Sequence, residues 1–321
     1  MKFGPRVEID CGSHSVFAEM REAKGRGREL PPIVLLNGLS DTMEHWDPFL
    51  KDLHCEGRAV VRLDFRGQGV SLRTELERTG VFETDVSVEE QAADLELVLQ
   101  RFEIKGPVDL IASSYGGGIG MYFASIHPEL IHRIVLFVPY VIRLDQALPV
   151  QRMWARQWDL MGHVGGLFAS AAIASGRRHY QSFLSHYMNY RYGNAMTDPV
   201  ARSAAIHLTF GIMRFSAFQI IDRLPDASVH LVTVGRDTLV PPSLYHEFWS
   251  KTPQSARASW LYVPDGEHLL LQQAPLFCAS WVSRVLAGDS EISGGKRFRG
   301  ETFAFEAFSD GHPGVTVSLA R

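Results

Sequence analysis

The sequence is poor in cysteine. Three cysteines occur among 321 residues, Cys11, Cys55 and Cys278, and no two of them form a Cys-x-x-Cys pair. An odd number at wide spacing fits neither a disulfide framework nor a cysteine-rich zinc site. We therefore expect no disulfide and no bound metal.

The chain also lacks an excess of one charge and a long apolar run. It has 32 Lys and Arg against 36 Asp and Glu, without a basic block, so we expect no binding to nucleic acid. No stretch approaches the ~18 apolar residues of a membrane-spanning helix. Lys2 and Arg6 precede any apolar run, so no secretory segment is predicted and we expect a cytoplasmic protein.

What remains is the composition of a globular protein. Apolar residues make up 45% and charged residues 21%, which is enough apolar surface for a sizeable core. At ~150 residues per domain the length corresponds to about two domains, and one large domain with an insertion fits equally well. Both a monomer and a homodimer are compatible with this composition.

Short β-branched runs alternate with longer helical patterns. This order is typical of an α/β fold, in which helices cover both faces of a mostly parallel sheet. The predicted strands, the first two forming an antiparallel hairpin, are residues 7–10, 16–22, 33–36, 59–64, 108–112, 134–138, 229–234 and 260–263. Helices are predicted over residues 92–102, preceded by a capping box of Ser87 and Glu90, and over residues 275–287.

The alternation stops in two places. Residues 141–212 are largely helical in pattern and rich in aromatic residues, which predicts a cap inserted between core segments 1–140 and 213–288. Its aromatic residues either line a substrate pocket or form the cap's own core. Residues 289–321 are predicted as a C-terminal extension, in which strands 302–305 and 315–318 form a β-hairpin.

The clearest chemical pattern is residues 110–118, an apolar run followed by a tight turn and a helix start of small residues. A nucleophile elbow needs small residues two positions before and two after the nucleophile, because its backbone is strained and closely packed. Ala112 and Gly116 meet this need for Ser114, whereas Ser113 would have bulky side chains at both positions. Ser114 is therefore the candidate nucleophile.

This segment resembles the elbow of the α/β-hydrolase superfamily, with Ala112 in place of the usual first glycine. The resemblance implies an acid and then a histidine further along the chain, since an imidazole oriented by a carboxylate activates the serine. Asp237 comes just past one predicted strand, and His268 comes on the predicted loop 265–268 after the next. The resemblance thus assigns a catalytic triad to Ser114, Asp237 and His268.

The same resemblance implies two backbone amides that bind an oxyanion. One belongs to Tyr115, directly after the nucleophile, and the other to Leu39, on a loop that resembles the family's His-Gly loop. This chain departs from the family at Asn37, where His is usual. A further turn, residues 64–71, is similar to the family's Asp-x-Arg-Gly-x-Gly-x-Ser turn and is interpreted as structural.

These motifs together predict an α/β-hydrolase fold with a helical cap and a serine hydrolase activity. We expect it to cleave a carboxylic ester, lactone or thioester of a small-molecule acyl substrate, without a metal or organic cofactor. Three alternatives remain open: hydrolysis of a C–C bond, acyl transfer, and a non-catalytic receptor that binds a ligand on this fold. A serine nucleophile argues against the epoxide hydrolases and haloalkane dehalogenases of the family, which use aspartate.

Overall fold

The computed structural model describes most of the chain outside the predicted cap and the C-terminal extension. The described residues are 2–39, 41–80, 82, 86–141, 204, 207–209, 211–212, 214–226, 228–237, 239–300 and 318–319. Most of the predicted cap and the predicted strand 302–305 therefore lie outside the described residues.

One mixed sheet runs through the described part of the chain. Its strands are β1 (Val7–Asp10), β2 (Ser15–Arg21), β3 (Ile33–Leu36), β4 (Val60–Asp64), β5 (Val108–Ser113), β6 (Ile131–Phe137), β7 (Val229–Arg236), β8 (Arg257–Glu267), β9 (Lys296–Arg299) and β10 (Ser318–Leu319). They lie in the order β1-β2-β4-β3-β5-β6-β7-β8-β9-β10. All pairs from β4 to β9 are parallel, while β1–β2, β2–β4 and β9–β10 are antiparallel. The predicted mostly parallel sheet is confirmed.

Helices follow the strands as the sequence pattern predicts. They are α1 (Asp47–Asp52), α2 (Gly69–Thr79), α3 (Val88–Arg101), α4 (Tyr115–Ile126), α5 (Pro242–Lys251), α6 (Leu270–Gln273) and α7 (Pro275–Leu286). The predicted capping box starts α3: the Ser87 hydroxyl accepts from the Glu90 amide at 3.1 Å, and the Glu90 carboxylate accepts from the Ser87 amide at 2.7 Å. Among the described helices, none is both long and apolar enough to cross a bilayer.

The central strands are buried on both faces. All four side chains of β3 and all six of β5 are buried. Parallel strands that helices cover on both sides have nearly continuous apolar sequences. This is why these segments could be predicted from the sequence.

Strand β8 is longer than predicted. The predicted strand 260–263 was expected to end in a loop beginning at Asp265, but the strand continues to Glu267. A register irregularity between Val234 and Arg236 allows β7 to continue as well, so that Arg236 pairs with Glu267. The backbones approach closely there, since a Cβ on Gly235 would lie 2.4 Å from the Pro264 carbonyl oxygen.

At the far edge of the sheet, β9 pairs with β8 in parallel and with β10 in antiparallel orientation. The sequence pattern did not predict β9.

The sheet reverses its direction of growth next to β3. From β3 the chain adds β4 on one side, and later β5 on the other. In open α/β sheets, ligands bind at such a switch point, beyond the carboxyl ends of the two strands. Leu36 ends β3 and Ser113 ends β5 at this point.

Candidate active site

Ser114 occupies a strained turn between β5 and α4. Its backbone has φ +46° and ψ −108°, outside the regions that a serine prefers. Three backbone hydrogen bonds hold this conformation. The Ser114 amide donates to the Phe137 carbonyl at 2.9 Å, and the Ser114 carbonyl accepts from Gly117 at 3.0 Å and from Tyr140 at 2.9 Å. Surrounding structure thus fixes a conformation that by itself costs about 1–3 kcal/mol.

The requirement for a small residue two positions after Ser114 has a visible cause. A Cβ on Gly116 would lie 2.5 Å from the Leu36 carbonyl oxygen and 2.6 Å from that of Asn37. The Gly116 amide also donates to the Asn37 carbonyl at 2.9 Å. This close approach joins the elbow to the loop after β3.

The three predicted triad residues lie in one hydrogen-bonded chain. Asp237 and His268 directly follow Arg236 and Glu267, which pair where the parallel strands β7 and β8 end. His268 Nε2 lies 2.8 Å from Ser114 Oγ, and His268 Nδ1 lies 3.0 Å from each carboxylate oxygen of Asp237. The Asp237 side chain is fully buried and that of His268 is 6% exposed.

Asp237 keeps its charge although it is buried. Burial is the largest influence on its pKa and acts to raise it, but the contacts with His268, Val240 and Tyr245 outweigh burial and hold the pKa below its ordinary value. The amides of Leu239 and Val240 donate to Oδ1 at 2.8 and 2.9 Å. The carboxylate is therefore suited to orient His268 with a proton on Nδ1.

Tyr245 is a site residue that the sequence motifs missed. It lies on α5, is 1% exposed, and its hydroxyl donates to Asp237 Oδ2 at 2.7 Å. Burial and the neighbouring Asp237 charge raise the pKa of Tyr245 well above its usual value, so the hydroxyl stays a donor. The sequence feature that could have indicated this residue is its position, near the start of a helix that follows Asp237.

Asn37 fixes the loop after β3. Its side chain is 1% exposed; Nδ2 donates to the Leu63 carbonyl at 2.7 Å, and Oδ1 accepts from the Trp46 indole at 2.7 Å. An amide can make both bonds because it carries a donor and an acceptor. At the position where the family usually has His, Asn37 ties the loop to β4 and to the 3₁₀ helix Met43–Trp46.

Gln68, in the turn 64–71, contacts the same loop. Its Nε2 donates to the Gly38 carbonyl at 3.1 Å, and the Asp41 amide donates to that carbonyl at 3.2 Å. The Gly38 carbonyl and the Leu39 amide belong to one planar trans peptide, in which they point in opposite directions. Holding the carbonyl therefore sets the direction of the Leu39 amide.

The two amides expected to bind an oxyanion have no partner within the described part of the chain. Neither the Leu39 nor the Tyr115 amide donates to an acceptor there. Tyr115 is the first residue of α4, where a helix leaves its amides unbonded and its dipole favours negative charge.

The described residues contain one cluster of three side chains able to ligate a metal. It consists of Cys11, His14 and Asp94, and includes no member of the triad.

A comparison with known families identifies the fold. A family model described as alpha/beta hydrolase fold matches residues 31–275, about three quarters of the chain. The matched segment contains the three residues predicted as a triad and the two loops that carry the amides predicted to bind an oxyanion.

Two curated proteins are similar over part of the chain. The probable lysophospholipase L2 of Haemophilus influenzae is 29% identical over 108 residues, which cover 34% of this chain and 34% of that protein. The cis-3-alkyl-4-alkyloxetan-2-one decarboxylase of Shewanella oneidensis is 31% identical over 94 residues, 28% of this chain and 30% of that protein. The similarity therefore spans about a third of the length of each relative.

Among solved structures, MGS-M2 is similar in fold. It is an alpha/beta hydrolase enzyme from a Medee basin deep-sea metagenome library, with a TM-score of 0.67 and 16% identity, and the match covers 89% of this chain and 98% of that one. At this identity the likeness concerns the fold alone.

Proposed function

This chain belongs to the α/β-hydrolase fold family, and on that basis we propose that it is a serine hydrolase of carboxylic esters, including lactones and thioesters. The hydrogen-bonded chain from Ser114 through His268 to Asp237, with distances of 2.8 and 3.0 Å, supports this activity most directly. A serine hydroxyl needs such an arrangement to become a nucleophile at neutral pH.

In the first half of the reaction, Ser114 Oγ attacks the carbonyl carbon while His268 Nε2 takes the hydroxyl proton. Asp237 keeps the other imidazole proton on Nδ1 and stabilises the imidazolium that forms. The amides of Leu39 and Tyr115 bind the oxyanion of the tetrahedral intermediate. When this intermediate collapses, the bond to the leaving alcohol or thiol breaks, His268 returns the proton to it, and the acyl group stays on Ser114.

In the second half, water takes the place of the alcohol. His268 Nε2 removes a proton from the water as its oxygen attacks the acyl carbon, and the same amides bind the second oxyanion. Collapse releases the carboxylic acid, and His268 returns a proton to Ser114 Oγ. The sum is one ester and one water converted to one acid and one alcohol, and no cofactor takes part.

The names of the two relatives are consistent with an acyl substrate. One is named a lysophospholipase, and the name of the other contains oxetan-2-one, a cyclic ester. We extend only the ester linkage to this chain, as a proposal about a small-molecule substrate. In this proposal the predicted cap, residues 141–212, determines which acyl lengths the enzyme accepts.

Steady-state turnover on a panel of short and long acyl esters tests this function, with a neighbouring serine as control. Wild type and Ser113→Ala should turn over many times, because Ser113 is a buried residue of β5 outside the triad contacts. Ser114→Ala should lower kcat by about 10⁶-fold. Equal rates for the two variants would contradict the assignment.

The alternatives give different results in the same panel. Tight binding of esters without turnover would favour a receptor. Cleavage of a diketone in preference to every ester would favour C–C bond hydrolysis. A product ester formed with an added alcohol faster than the free acid is released would favour acyl transfer. Each of these outcomes would overturn ester hydrolysis as the main activity.

A further inference from the structure

The tip of the β1–β2 hairpin faces helix α3 with three different metal-ligating side chains. Cys11 and His14 lie on the turn, which is closed by a bond of 2.9 Å from the Cys11 amide to the His14 carbonyl. Asp94 comes from the middle of α3, 80 residues along the chain from His14. The ligand atoms of the three side chains all lie within 4.8 Å of one another, and His14 Nε2 is 2.9 Å from Asp94 Oδ2.

The cluster is sheltered from solvent. The side chains of His14 and Asp94 are only 7% and 5% exposed, and Cys11 is partly buried. A buried carboxylate is unfavourable unless it is paired or coordinates a cation. The hydrogen bond with His14 meets part of that need.

The charged groups that act on the Cys11 thiol are carboxylates. They belong to Asp94, which also contacts the thiol, and to Asp10. A cation at this position would balance the carboxylates and would favour the thiolate, which is the form of cysteine that binds metals.

We propose that Cys11, His14 and Asp94 bind a zinc ion that fastens the N-terminal hairpin to helix α3. A thiolate, an imidazole and a carboxylate are the three ligand types that zinc takes in proteins. In a tetrahedral site with bonds of about 2.0–2.3 Å, the ligand atoms lie about 3.3–3.6 Å apart, a separation that these side chains reach by shifts of about an ångström or less. The Cys11 proton leaves as the Zn–S bond forms, and water takes the fourth position.

A neighbouring hydroxyl completes the arrangement. Ser13 Oγ lies 3.1 Å from His14 Nδ1. When Nε2 ligates zinc, Nδ1 carries the ring proton and donates it to Ser13, and such outer contacts fix the ring and tune the metal affinity. The sequence pattern gave no indication of this site, because Asp94 is remote in sequence and no second cysteine lies near Cys11.

Cobalt titration of the metal-free full-length protein tests the site, since Co²⁺ reports its ligands by absorption. Wild type should bind one ion per chain and show a thiolate-to-cobalt charge-transfer band, which added Zn²⁺ removes. Cys11→Ser should lose the band, whereas Cys278→Ala, at a buried cysteine of α7, and Ser114→Ala should keep it. Absence of the band in wild type, or its persistence in Cys11→Ser, would overturn the proposal.

A second variant, Ser13→Ala, tests the site without replacing a proposed ligand, so that misfolding does not explain its result. Ser13 has an exposed hydrogen bond, so Ser13→Ala should fold normally. It should keep the charge-transfer band and weaken zinc binding by about 10- to 100-fold. In thermal unfolding, Zn²⁺ should raise the Tm of wild type and not that of Cys11→Ser. A zinc affinity of Ser13→Ala equal to that of wild type would contradict the site. Equal Tm shifts in wild type and Cys11→Ser would contradict it as well.

Discussion

At the scale of single residues, the side chains and amides proposed to take part in catalysis are held in position by hydrogen bonds from other residues. Asn37 and Gln68 fix the loop of the Leu39 amide, and Tyr245 donates to Asp237. Ser114 could be named from the sequence because its motif is local, and the resemblance to the family then implied Asp237 and His268. The supporting contacts could not be predicted, because Leu63 and Gln68 come from segments remote from the loop after β3. Tyr245 lies only eight residues from Asp237, but no family motif assigns it a role.

Gln68→Leu should reduce activity more than stability. It removes the side-chain donor to the Gly38 carbonyl, so the Leu39 amide loses its fixed direction. We expect kcat to fall by about 10- to 100-fold with KM nearly unchanged, less than the loss of a whole oxyanion donor. Thr252→Val is the matched control, since Thr252 Oγ1 also donates to a backbone carbonyl in the interior, that of Phe248, at 2.9 Å. Both variants should lose about 1 kcal/mol of stability, and equal kcat values would disprove the role of Gln68.

Tyr245→Phe should destabilise the protein in a pH-dependent way. Because the folded-state pKa of Asp237 is lowered, its ionised form stabilises the fold above the unfolded-state pKa of ~3.9, and this stabilisation is lost as the pH falls through the folded-state value. Loss of the hydroxyl donor should lower the free energy of unfolding by about 1.5–3 kcal/mol near neutral pH, and the difference should shrink below about pH 4.

Urea unfolding at neutral and acidic pH measures this difference. Tyr122→Phe is the control, because Tyr122 lies on α4, packs against the Phe215 ring, and is not among the described groups that act on the Asp237 carboxylate. The control should change little at either pH. A Tyr245→Phe effect of the same size at both pH values would show that the hydroxyl does not act through the Asp237 charge.

At the scale of elements, strand pairing explains how distant residues meet. The apolar runs of buried strands and the capping box of α3 were readable because they depend on local pattern. The end of β8 could not be predicted from the sequence, because Pro264, Asp265 and Gly266 have the composition of a turn. Pairing with β7 nevertheless extends the strand to Glu267. That extension places His268 beside Asp237.

Gly116→Ala should disrupt the junction between the elbow and the β3 loop. The added Cβ meets backbone oxygens of Leu36 and Asn37 at 2.5 and 2.6 Å, and backbone cannot move aside as a flexible side chain can. We expect a loss of about 1–3 kcal/mol, typical of overpacking, together with reduced kcat. Gly106→Ala is the control, because nothing lies within 4 Å of its Cβ position. Thermal unfolding should show a change within about 0.5 kcal/mol for this control. Similar Tm values for the two variants would contradict the close approach.

At the scale of the whole molecule, the sheet separates a stabilising charge cluster from the proposed active site. Asp109 lies near the amino end of β5, fully buried, and pairs with Arg58, which is 3% exposed. His132 Nδ1 is 2.8 Å from the same carboxylate. Ser114 follows the carboxyl end of β5, five residues on, or about 17 Å along an extended strand.

Asp109→Ala should therefore lower stability without changing the chemistry. It leaves Arg58 buried without its partner, which typically costs about 3–5 kcal/mol. Urea unfolding should show this loss, while kcat measured where the variant is still folded should equal that of wild type. A fall in kcat would mean that the two ends of the sheet are coupled.

Covalent labelling with a fluorophosphonate tests the reactivity of Ser114 most directly. The probe reacts only with a serine whose hydroxyl is activated, and peptide mass spectrometry locates the adduct. Wild type and Ser113→Ala should be labelled on Ser114, and Ser114→Ala should not be labelled. Equal labelling of Ser114→Ala and wild type, or no labelling of folded wild type, would contradict the account.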